Sequence, residues 1–498
     1  MPVMTVNGVE YVVPGGIRLS EALGQEHAVA QPCAGLGRCG KCRVVARGAL
    51  SALSPEEERL LTEEDRRADV RLACRTYILG DCTVLYQEQA SMEIQLTGGK
   101  AAAAVAPAFS RLGAAVDLGT TTLAARLYDT EGRVLAEAGA PNSQSRWGAD
   151  VISRIQASMN GQRQALADSV RETISQLLGE LARKAGRDTG EIDGIVIAGN
   201  TAMLYLLTAT PPDALSRAPF HADQLFGSVW KAADLGLTAC GEAQVYLPRC
   251  ISAFVGADIT AALLASGCWG GKKTRMLVDI GTNGEMALWQ DGVLRCCSTA
   301  AGPAFEGAGL SMGMNGAAGA IDHLHLEQGK IVAHVLGGGE PRGICGSGVV
   351  DALACLLETE ELDETGLLDE DPTVLMDPVS FSQKDVRMVQ LAKSAICAGL
   401  MTLLDTAGLS WEQVDTLSVA GGFGSYLNLE SAGKIGLLPE ESLSRVRIIG
   451  NASLDGAALL LLDKSLRQKS SRMADEAETV ELHANPVFAR YYTEGMLF

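Results

Sequence analysis

Four cysteines near the N-terminus have the spacing of ligands for an iron–sulfur cluster: Cys33, Cys39, Cys42 and Cys74. The first three form a C-x5-C-x2-C pattern on one loop, and four thiolates are what a [2Fe–2S] cluster requires. The loop is rich in glycine, so its backbone N–H groups can turn toward the cluster, and Arg38 and Lys41 would add positive charge. The pattern therefore predicts a [2Fe–2S] cluster. A four-cysteine zinc site and a redox-active Cys39–Cys42 pair are the alternatives.

Two further segments have the composition of nucleotide phosphate loops. Each places an aspartate at the end of a strand and follows it with a tight turn of small residues: Asp117, Gly119, Thr120, Thr121 and Thr122 in the first, and Asp279, Gly281, Thr282, Asn283 and Gly284 in the second. Such turns offer N–H and hydroxyl donors to phosphate oxygens, and the aspartates can hold Mg²⁺. Two facing copies would clamp a triphosphate. Two ordinary hairpin turns are the alternative, and the G-x-x-x-x-G-K-[ST] motif of P-loop proteins is absent.

A third glycine-rich loop follows a buried strand near residue 420. Its small residues allow close backbone approach to adenine and ribose: Gly421, Gly422, Gly424 and Ser425. Two segments of small residues, 256–265 and 450–460, predict helices that cross closely. Asp258, in the first of them, is the candidate for positioning an attacking water. An ordinary aspartate at a helix N-terminus is the alternative.

The elements that must position these loops occur twice along the chain. A strand–turn–strand–turn–strand pattern over 114–138 is repeated over 276–298, and the buried strand 194–200 matches 417–422. The body is therefore predicted to consist of two related α/β halves, residues 112–270 and 271–498. Residues 1–97 contain short β-rich segments that predict a separate small domain. Residues 98–111 are small, lack a periodic apolar face and predict a linker.

Composition excludes several classes of protein. The 498 residues are 47% hydrophobic and 20% charged, which is typical of globular α/β proteins. The formal charge of −19 argues against nucleic acid or an anionic membrane surface as a partner. No stretch approaches the ~20 apolar residues of a membrane span, and the N-terminus lacks the pattern of a signal peptide. We therefore expect a cytoplasmic protein whose closely spaced thiols are ligands rather than disulfides.

The residues also carry resemblances to known families. The cysteine pattern resembles that of β-grasp ferredoxins, nearer to the adrenodoxin-like variant than to the plant one. The three loops of the body, in their order, resemble those of the actin, hexokinase and Hsp70 superfamily of ATPases, whose two halves are RNase H-like. That resemblance implies that segments 117–122 and 279–284 are the phosphate loops and 420–425 the adenosine loop, with ATP and Mg²⁺ as ligands.

The whole chain, in this order, resembles the reductive activators of corrinoid-containing proteins, and segments 278–285, 301–307 and 343–348 resemble that family's C-terminal region. The resemblance implies an ATP-hydrolysing enzyme of anaerobic metabolism. It would transfer one electron from the [2Fe–2S] cluster to the inactive Co(II) corrinoid of a methyltransferase system and restore Co(I). Its partners would be a corrinoid-containing methyl carrier, an upstream electron donor and a second copy in a homodimer. A ferredoxin-fused small-molecule kinase and a nucleotide-binding redox sensor or scaffold are the alternatives.

Overall fold

The computed structural model describes residues 1–24, 27, 29, 31, 33, 35–86, 104–423 and 426–498. Within them the chain forms one small sheet at the N-terminus and two six-stranded sheets in the body. Two smaller sheets, of three and two strands, are inserted in the second half of the body.

The N-terminal domain is a five-stranded sheet in the order β2-β1-β5-β3-β4, in which β1 and β5 are parallel. Its strands are β1 (Val3–Val6), β2 (Val9–Val12), β3 (Arg43–Leu50), β4 (Val70–Leu72) and β5 (Ile78–Leu85), and its helices are α1 (Leu19–Ala22), α2 (Pro55–Leu60) and α3 (Glu63–Arg67). Alternating apolar side chains of β1, β3 and β5 face a buried core that also contains Cys42 and Cys74. The core therefore fixes two of the four predicted cluster ligands.

The first half of the body is a sheet in the order β10-β11-β9-β6-β7-β8. Its strands are β6 (Leu112–Leu118), β7 (Thr122–Asp129), β8 (Val134–Pro141), β9 (Ile192–Gly199), β10 (Ser228–Lys231) and β11 (Gln244–Leu247), and its helices are α4 (Val151–Ala157), α5 (Arg163–Lys184), α6 (Thr201–Thr208), α7 (Asp213–Ser216) and α8 (Ala257–Ser266). The apolar face of α5 covers one side of this sheet.

The second half repeats this plan with the order β21-β20-β12-β13-β14-β22. Its main strands are β12 (Arg275–Ile280), β13 (Gly284–Gln290), β14 (Val293–Thr299), β20 (Thr416–Ala420), β21 (Val446–Gly450) and β22 (Glu478–Thr479). The small inserted sheets are β15 (Ala320–Glu327), β16 (Lys330–Val335) and β17 (Gly343–Ile344), and β18 (Thr373–Met376) with β19 (Val379–Phe381). The helices are α9 (Gly346–Glu358), α10 (Gln383–Ala407), α11 (Leu429–Lys434), α12 (Ala452–Leu462), α13 (Leu466–Glu476) and α14 (Pro486–Glu494).

Matching strand pairs place the two predicted aspartates at equivalent points of the two sheets. Asp117 on β6 lies opposite Ala198 of the parallel strand β9, and Asp279 on β12 lies opposite Ala420 of the parallel strand β20. The duplication seen in the sequence is thus a duplication of structure, and it brings both aspartates to strand ends.

Helices α8 and α12 cross between the two main sheets. Apolar residues of α8 pack on β12 and β13 of the second half, whereas those of α12 pack on β6 and β9 of the first. The crossing is close because Gly456 has no side chain: a Cβ at this position would lie 2.0 Å from the carbonyl oxygen of Ala261. Each half therefore contributes a helix to the core of the other.

Helix α10 differs from the expectation that no segment could span a membrane. By length and composition it is long and apolar enough to cross one, and 72% of its most apolar window is buried inside the protein. Burial of this extent is typical of a core helix, because α10 packs against β13, β14 and α14.

Part of the predicted linker is attached to the body. The backbone N–H groups of Ala106 and Ala108 donate to the carbonyl oxygens of Leu462 and Leu461 at the end of α12, and Phe109 is buried. Residues 98–103 of the predicted linker lie outside the described residues. The boundary between the N-terminal domain and the linker stays a prediction.

We expect Gly456→Val to lower the free energy of unfolding by about 1–3 kcal/mol, because the new side chain has no room beside Ala261. Gly179→Ala in α5 is the matched control: nothing lies within 4 Å of its added Cβ, so it should raise stability by about 0.5–1 kcal/mol. Denaturant unfolding followed by circular dichroism measures both. Equal stability of Gly456→Val and the wild type would contradict the close crossing.

Candidate functional site

The four predicted cluster ligands meet at one end of the N-terminal sheet. Cys33 and Cys39 lie on the loop before β3, Cys42 immediately precedes β3, and Cys74 follows β4. The sulfur atoms form two pairs, with 3.4 Å between Cys33 and Cys39 and 3.3 Å between Cys42 and Cys74. Among the described residues, no three Cys, His, Asp or Glu side chains converge as a site for a single metal ion. Two thiol pairs fit a cluster of two irons that each take two protein ligands.

The loop around these thiols has the backbone that a cluster needs. Gly35, Gly37 and Gly40 have φ values of 72°, 66° and 67°, which glycine adopts without strain. Burial works to raise the pKa of Cys33, but hydrogen bonds from the backbone N–H groups of Arg38 and Cys39 outweigh it and lower that pKa. The loop thus favours the thiolate of Cys33, whereas burial raises the pKa of Cys39 on the same loop.

Glu57 of α2, which sequence reasoning did not single out, fixes the segment that carries Cys74. Its fully buried carboxylate accepts hydrogen bonds from Arg71 Nε at 2.9 Å, the backbone N–H of Leu72 at 3.1 Å and the Thr76 hydroxyl at 3.1 Å. The S-x-x-E capping box with Ser54 is visible in the sequence. The pairing with Arg71 is not, because it joins residues on different elements.

Lys41 lies where the cluster loop contacts the body of the protein. Its ammonium group donates to the backbone carbonyls of Leu310 at 2.9 Å and Ser311 at 3.3 Å, in the second half of the body. The side chain of Arg75 also lies against the cluster loop. Its Nε atom occupies the space beside Gly37, where an added Cβ atom would be only 2.2 Å away. Lys41 therefore joins the cluster loop to the body of the protein.

The predicted nucleotide residues surround one cleft of about 490 Å³ between the two halves. Asp117, Asp258 and Asp279 all line it. So do predicted residues of the three loops: Gly119, Thr120, Thr121, Thr122, Gly281, Thr282, Asn283, Gly421 and Gly422. Gly284 is an exception, because it is the first residue of β13 and packs against Ile396 and Thr299. Gly424 and Ser425 lie outside the described residues.

Both phosphate loops are closed turns. The N–H group of Gly119 donates to the carbonyl of Thr122 at 3.0 Å, and that of Gly281 donates to the carbonyl of Asn283 at 3.1 Å. A Cβ on Gly119 would lie 2.6 Å from the Thr122 carbonyl, so the turn requires glycine. The remaining N–H and hydroxyl groups of these turns border the cleft, where they can bind phosphate oxygens.

The base side of the cleft is apolar and aromatic. Phe305 and Phe423 stack with their ring centroids 5.1 Å apart, and Leu336 and Tyr426 also line this region. Gly421 has a φ of 100°, and a Cβ there would lie 2.5 Å from the Ile280 carbonyl, so the loop needs glycine to lie against the second phosphate strand. A flat base bordered by aromatic rings fits this surface.

The three predicted aspartates are held in an environment that disfavours their charge. Asn451 and Ser453 donate to Asp117 at 2.9 and 2.7 Å, yet burial raises the pKa of that carboxyl group. Burial and the charge of Asp117 raise the pKa of Asp258 to about 7. Burial, followed by the charges of Asp258 and Asp117, raises the pKa of Asp279 to about 8. Negative charge is thus crowded at this point.

Sequence reasoning assigned no role to two further carboxylates of the cleft. Glu306 Oε2 accepts hydrogen bonds from Thr121 at 2.9 Å and Thr282 at 2.7 Å, one from each phosphate loop. Glu285 is buried, and burial with the charges of Asp258 and Asp279 raises its pKa well above the ordinary value. Both residues lie in segments that carried the family resemblance, but their spacing alone indicated no contact.

The donor set suits a magnesium nucleotide. Among the described residues that line the cleft there is no Lys, Arg or His. Six carboxylates line it: Asp117, Asp258, Asp279, Glu285, Glu306 and Asp322. A triphosphate would be repelled by these groups unless a cation accompanied it. Carboxylate oxygens are the protein ligands that Mg²⁺ prefers, so the residues present fit Mg²⁺ together with a nucleotide.

Three family models match the chain in order along its length. Residues 4–79 match a 2Fe-2S iron–sulfur cluster binding domain, residues 112–269 match the RACo middle region, and residues 273–498 match the C-terminal domain of RACo, the ASKHA domain. These matches confirm the predicted fold class, the [2Fe–2S] cluster and ATP as cofactors. Mg²⁺ and the roles of individual residues stay predictions.

The chain is also similar to individual proteins. It is 35% identical to the corrinoid activation enzyme RamQ of Eubacterium limosum, over 78% of this chain and 70% of that protein. It is 26% identical to the Co(II) methylated amine-specific corrinoid protein reductase of Methanosarcina barkeri, over 77% of this chain and 78% of that protein. A solved reductive activator for corrinoid, iron–sulfur protein matches all of this chain and 98% of its own, with a TM-score of 0.73 and 25% identity.

Removal of the Glu57 carboxylate should destabilise the N-terminal domain and its cluster. We expect Glu57→Ala to cost about 3–5 kcal/mol, because it leaves the largely buried Arg71 without its partner. Iron should be lost to a chelator faster than from the wild type. Glu63→Ala, which removes an exposed ion pair with Arg67, is the control and should change stability by less than about 1 kcal/mol. Equal iron retention in both variants would contradict this role of Glu57.

Asp279→Asn should stabilise the protein in the absence of Mg²⁺ and nucleotide, and more so at higher pH. The folded protein keeps the Asp279 proton until about pH 8, whereas the unfolded chain releases it near the ordinary pKa of 3.8. Stability contributed by this group is therefore greatest at low pH and falls as the pH rises to about 8. Asparagine avoids that loss, so its advantage in Tm should grow by about 2–4 °C between pH 6 and pH 8.5.

Thermal unfolding in EDTA measures this difference. Addition of Mg²⁺ and ATP should reverse the order, because Mg²⁺ replaces the proton in the wild type and the variant lacks that ligand. A Tm advantage that is the same at both pH values would contradict the raised pKa.

Proposed function

The chain belongs to the family of reductive activators of corrinoid proteins, and we propose that it uses ATP to return the Co(II) corrinoid of a methyltransferase system to Co(I). One observation carries the proposal: a single chain joins two thiol pairs suited to a [2Fe–2S] cluster to a two-sided nucleotide cleft, with Lys41 in contact with both parts. The cluster would supply one electron to the corrinoid when it is bound.

The energetics explain why an electron carrier would need ATP. A plant-type [2Fe–2S] centre has a potential of about −400 mV, and each ~59 mV of unfavourable potential difference is a tenfold penalty for one electron. A more negative cobalt couple is therefore out of reach without another source of free energy. ATP binding and hydrolysis at the cleft can supply it by changing which conformation of the complex is stable.

The cleft residues have distinct roles in this proposal. Asp117 and Asp279, one from each half, would hold Mg²⁺ from opposite sides. The turns that follow them would bind phosphate oxygens through backbone N–H and hydroxyl groups. Asp258, in the first turn of α8, would position the attacking water.

The partner in this proposal is a corrinoid-containing methyl carrier, as the names of the relatives suggest. An upstream electron donor, a cytoplasmic location and a homodimer complete it. The excess of acidic over basic residues, 60 against 41, supports a partner that is neither nucleic acid nor a membrane surface.

Two single substitutions separate the two modules. Cys39→Ser should remove the visible absorbance of the cluster without weakening Mg²⁺–ATP binding. Asp279→Ala should leave the absorbance and weaken Mg²⁺–ATP binding at least tenfold, about 1.4 kcal/mol. Both variants should lose the Co(I) absorbance band that wild-type protein generates from a Co(II) methyl carrier under anaerobic conditions. Asp234→Ala, in a solvent-exposed turn of the first half, is a control that should retain all three properties.

Co(I) formation by either variant at the wild-type rate would contradict the proposal. ATP-dependent phosphorylation of a small molecule, unaffected by Cys39→Ser, would instead favour the kinase alternative. Nucleotide binding without turnover or Co(I) formation, with every candidate carrier tried, would favour the redox sensor or scaffold.

A further inference from the structure

One stretch of backbone connects the nucleotide cleft to the cluster loop. We call residues Gly302–Met314 the coupling segment. It leaves β14, forms a short 3₁₀ helix over Pro303–Glu306, and passes along the N-terminal end of α10. Glu306 and Met314 of this segment both line the cleft, and Lys41 of the N-terminal domain contacts Leu310 and Ser311 between them.

The cleft end is held by Glu306. A single carboxylate oxygen accepts from Thr121 of the first phosphate loop and Thr282 of the second. Gly302 adds a backbone hydrogen bond from its N–H to the Thr282 carbonyl at 2.9 Å. The hydroxyl groups of Thr121 and Thr282 each have one proton to donate. A hydroxyl that donates to Glu306 therefore cannot donate to a phosphate oxygen at the same time.

The middle of the segment leaves little room for movement. A Cβ on Gly307 would lie 2.1 Å from the Met314 carbonyl oxygen, and one on Gly313 would lie 2.1 Å from the Gly307 carbonyl oxygen. Leu310 is 1% exposed in the core of the second half. Packing this close transmits displacements instead of absorbing them.

Lys41 binds between the two parts of the segment that line the cleft. The carbonyl groups of Leu310 and Ser311 accept from its ammonium group, and Lys41 stands between the cluster ligands Cys39 and Cys42. Ser311 is fixed from the other side, since its N–H donates to Asp385 at 2.7 Å in the first turn of α10. The position of these two carbonyls therefore decides whether Lys41 can dock.

We propose that Glu306 is a positioning residue. Through it, nucleotide binding at the cleft opposes docking of the cluster loop by Lys41. Phosphate oxygens compete with the Glu306 carboxylate for the two threonine hydroxyls and repel it. The displaced side chain moves the coupling segment, and the carbonyls of Leu310 and Ser311 leave Lys41. Nucleotide binding thus releases the [2Fe–2S] domain from the body. The inference rests on the proposed function only in placing the nucleotide in this cleft.

Linkage gives the inference a thermodynamic test. If nucleotide binding opposes docking, then loss of docking must strengthen nucleotide binding by the same factor. We would measure the Kd of the Mg²⁺ complex of a non-hydrolysable ATP analogue by calorimetry, using full-length protein with its cluster intact. The proteins are wild type, Lys41→Met, Glu306→Ala and the double variant. Arg59→Met is the control, since it removes one exposed positive charge from the same domain.

We expect the effects of Lys41→Met and Glu306→Ala on the Kd of the analogue to be non-additive. Lys41→Met should bind the analogue about fivefold more tightly than wild type, the lower end of typical couplings, and Arg59→Met should bind like wild type. In the Glu306→Ala background, the substitution of Lys41 should have no effect. Glu306→Gln keeps the size of the side chain without its charge and should show a reduced Lys41 effect. It also serves if Glu306→Ala does not fold.

Amide hydrogen exchange gives an independent readout. The analogue should increase exchange in peptides covering residues 35–46 of wild type and should not do so in Glu306→Ala. Equal affinity of Lys41→Met and wild type, or a Lys41 effect that persists without Glu306, would overturn the inference. Failure of every variant and the wild type to bind the analogue would instead count against the proposed function.

Discussion

The crowding of carboxylates between the two halves is the constraint on which the rest of the structure depends. Duplicated strands bring Asp117 and Asp279 to equivalent ends, and the crossing of α8 and α12 adds Asp258 to the same cleft. No basic side chain is among the described residues that line that cleft, although the charge of the buried Arg154 acts on Glu306, so protons or a metal ion would reduce the remaining repulsion. The raised pKa values of Asp258 and Asp279 show how strongly the site disfavours bare charge. The two halves are thereby arranged to close on a nucleotide that brings a cation with it.

The crossing helices and the coupling segment connect the cleft to the rest of the protein in two ways. Gly456 lets α8 and α12 cross closely, so each half contributes a helix to the core of the other. Glu306 accepts hydrogen bonds from both predicted phosphate loops, and its segment contains the carbonyls that accept from Lys41. Chemistry at the cleft can therefore reach the iron–sulfur domain through packed backbone, without a direct contact between nucleotide and cluster.

Much of the fold and site could be predicted because the signals are local. Spacing predicted the cluster ligands, two loops with one pattern predicted the cleft, and duplication predicted the architecture. Glu57, Glu306 and the docking of Lys41 could not be predicted, because each acts through a partner on another element and a single sequence contains no signal of such contacts. Gly284 continues the loop motif, but it is the first residue of β13 and does not line the cleft.

The most direct test of the account is one anaerobic stopped-flow experiment on the wild-type protein. Reduced protein is mixed with a Co(II) methyl carrier, and the cluster and cobalt absorbances are followed together, with and without Mg²⁺–ATP. The account predicts that cluster oxidation and Co(I) formation occur at the same rate, in equal amounts, and only with Mg²⁺–ATP. Co(I) that forms equally fast without nucleotide, or ATP consumption without cluster oxidation, would contradict it.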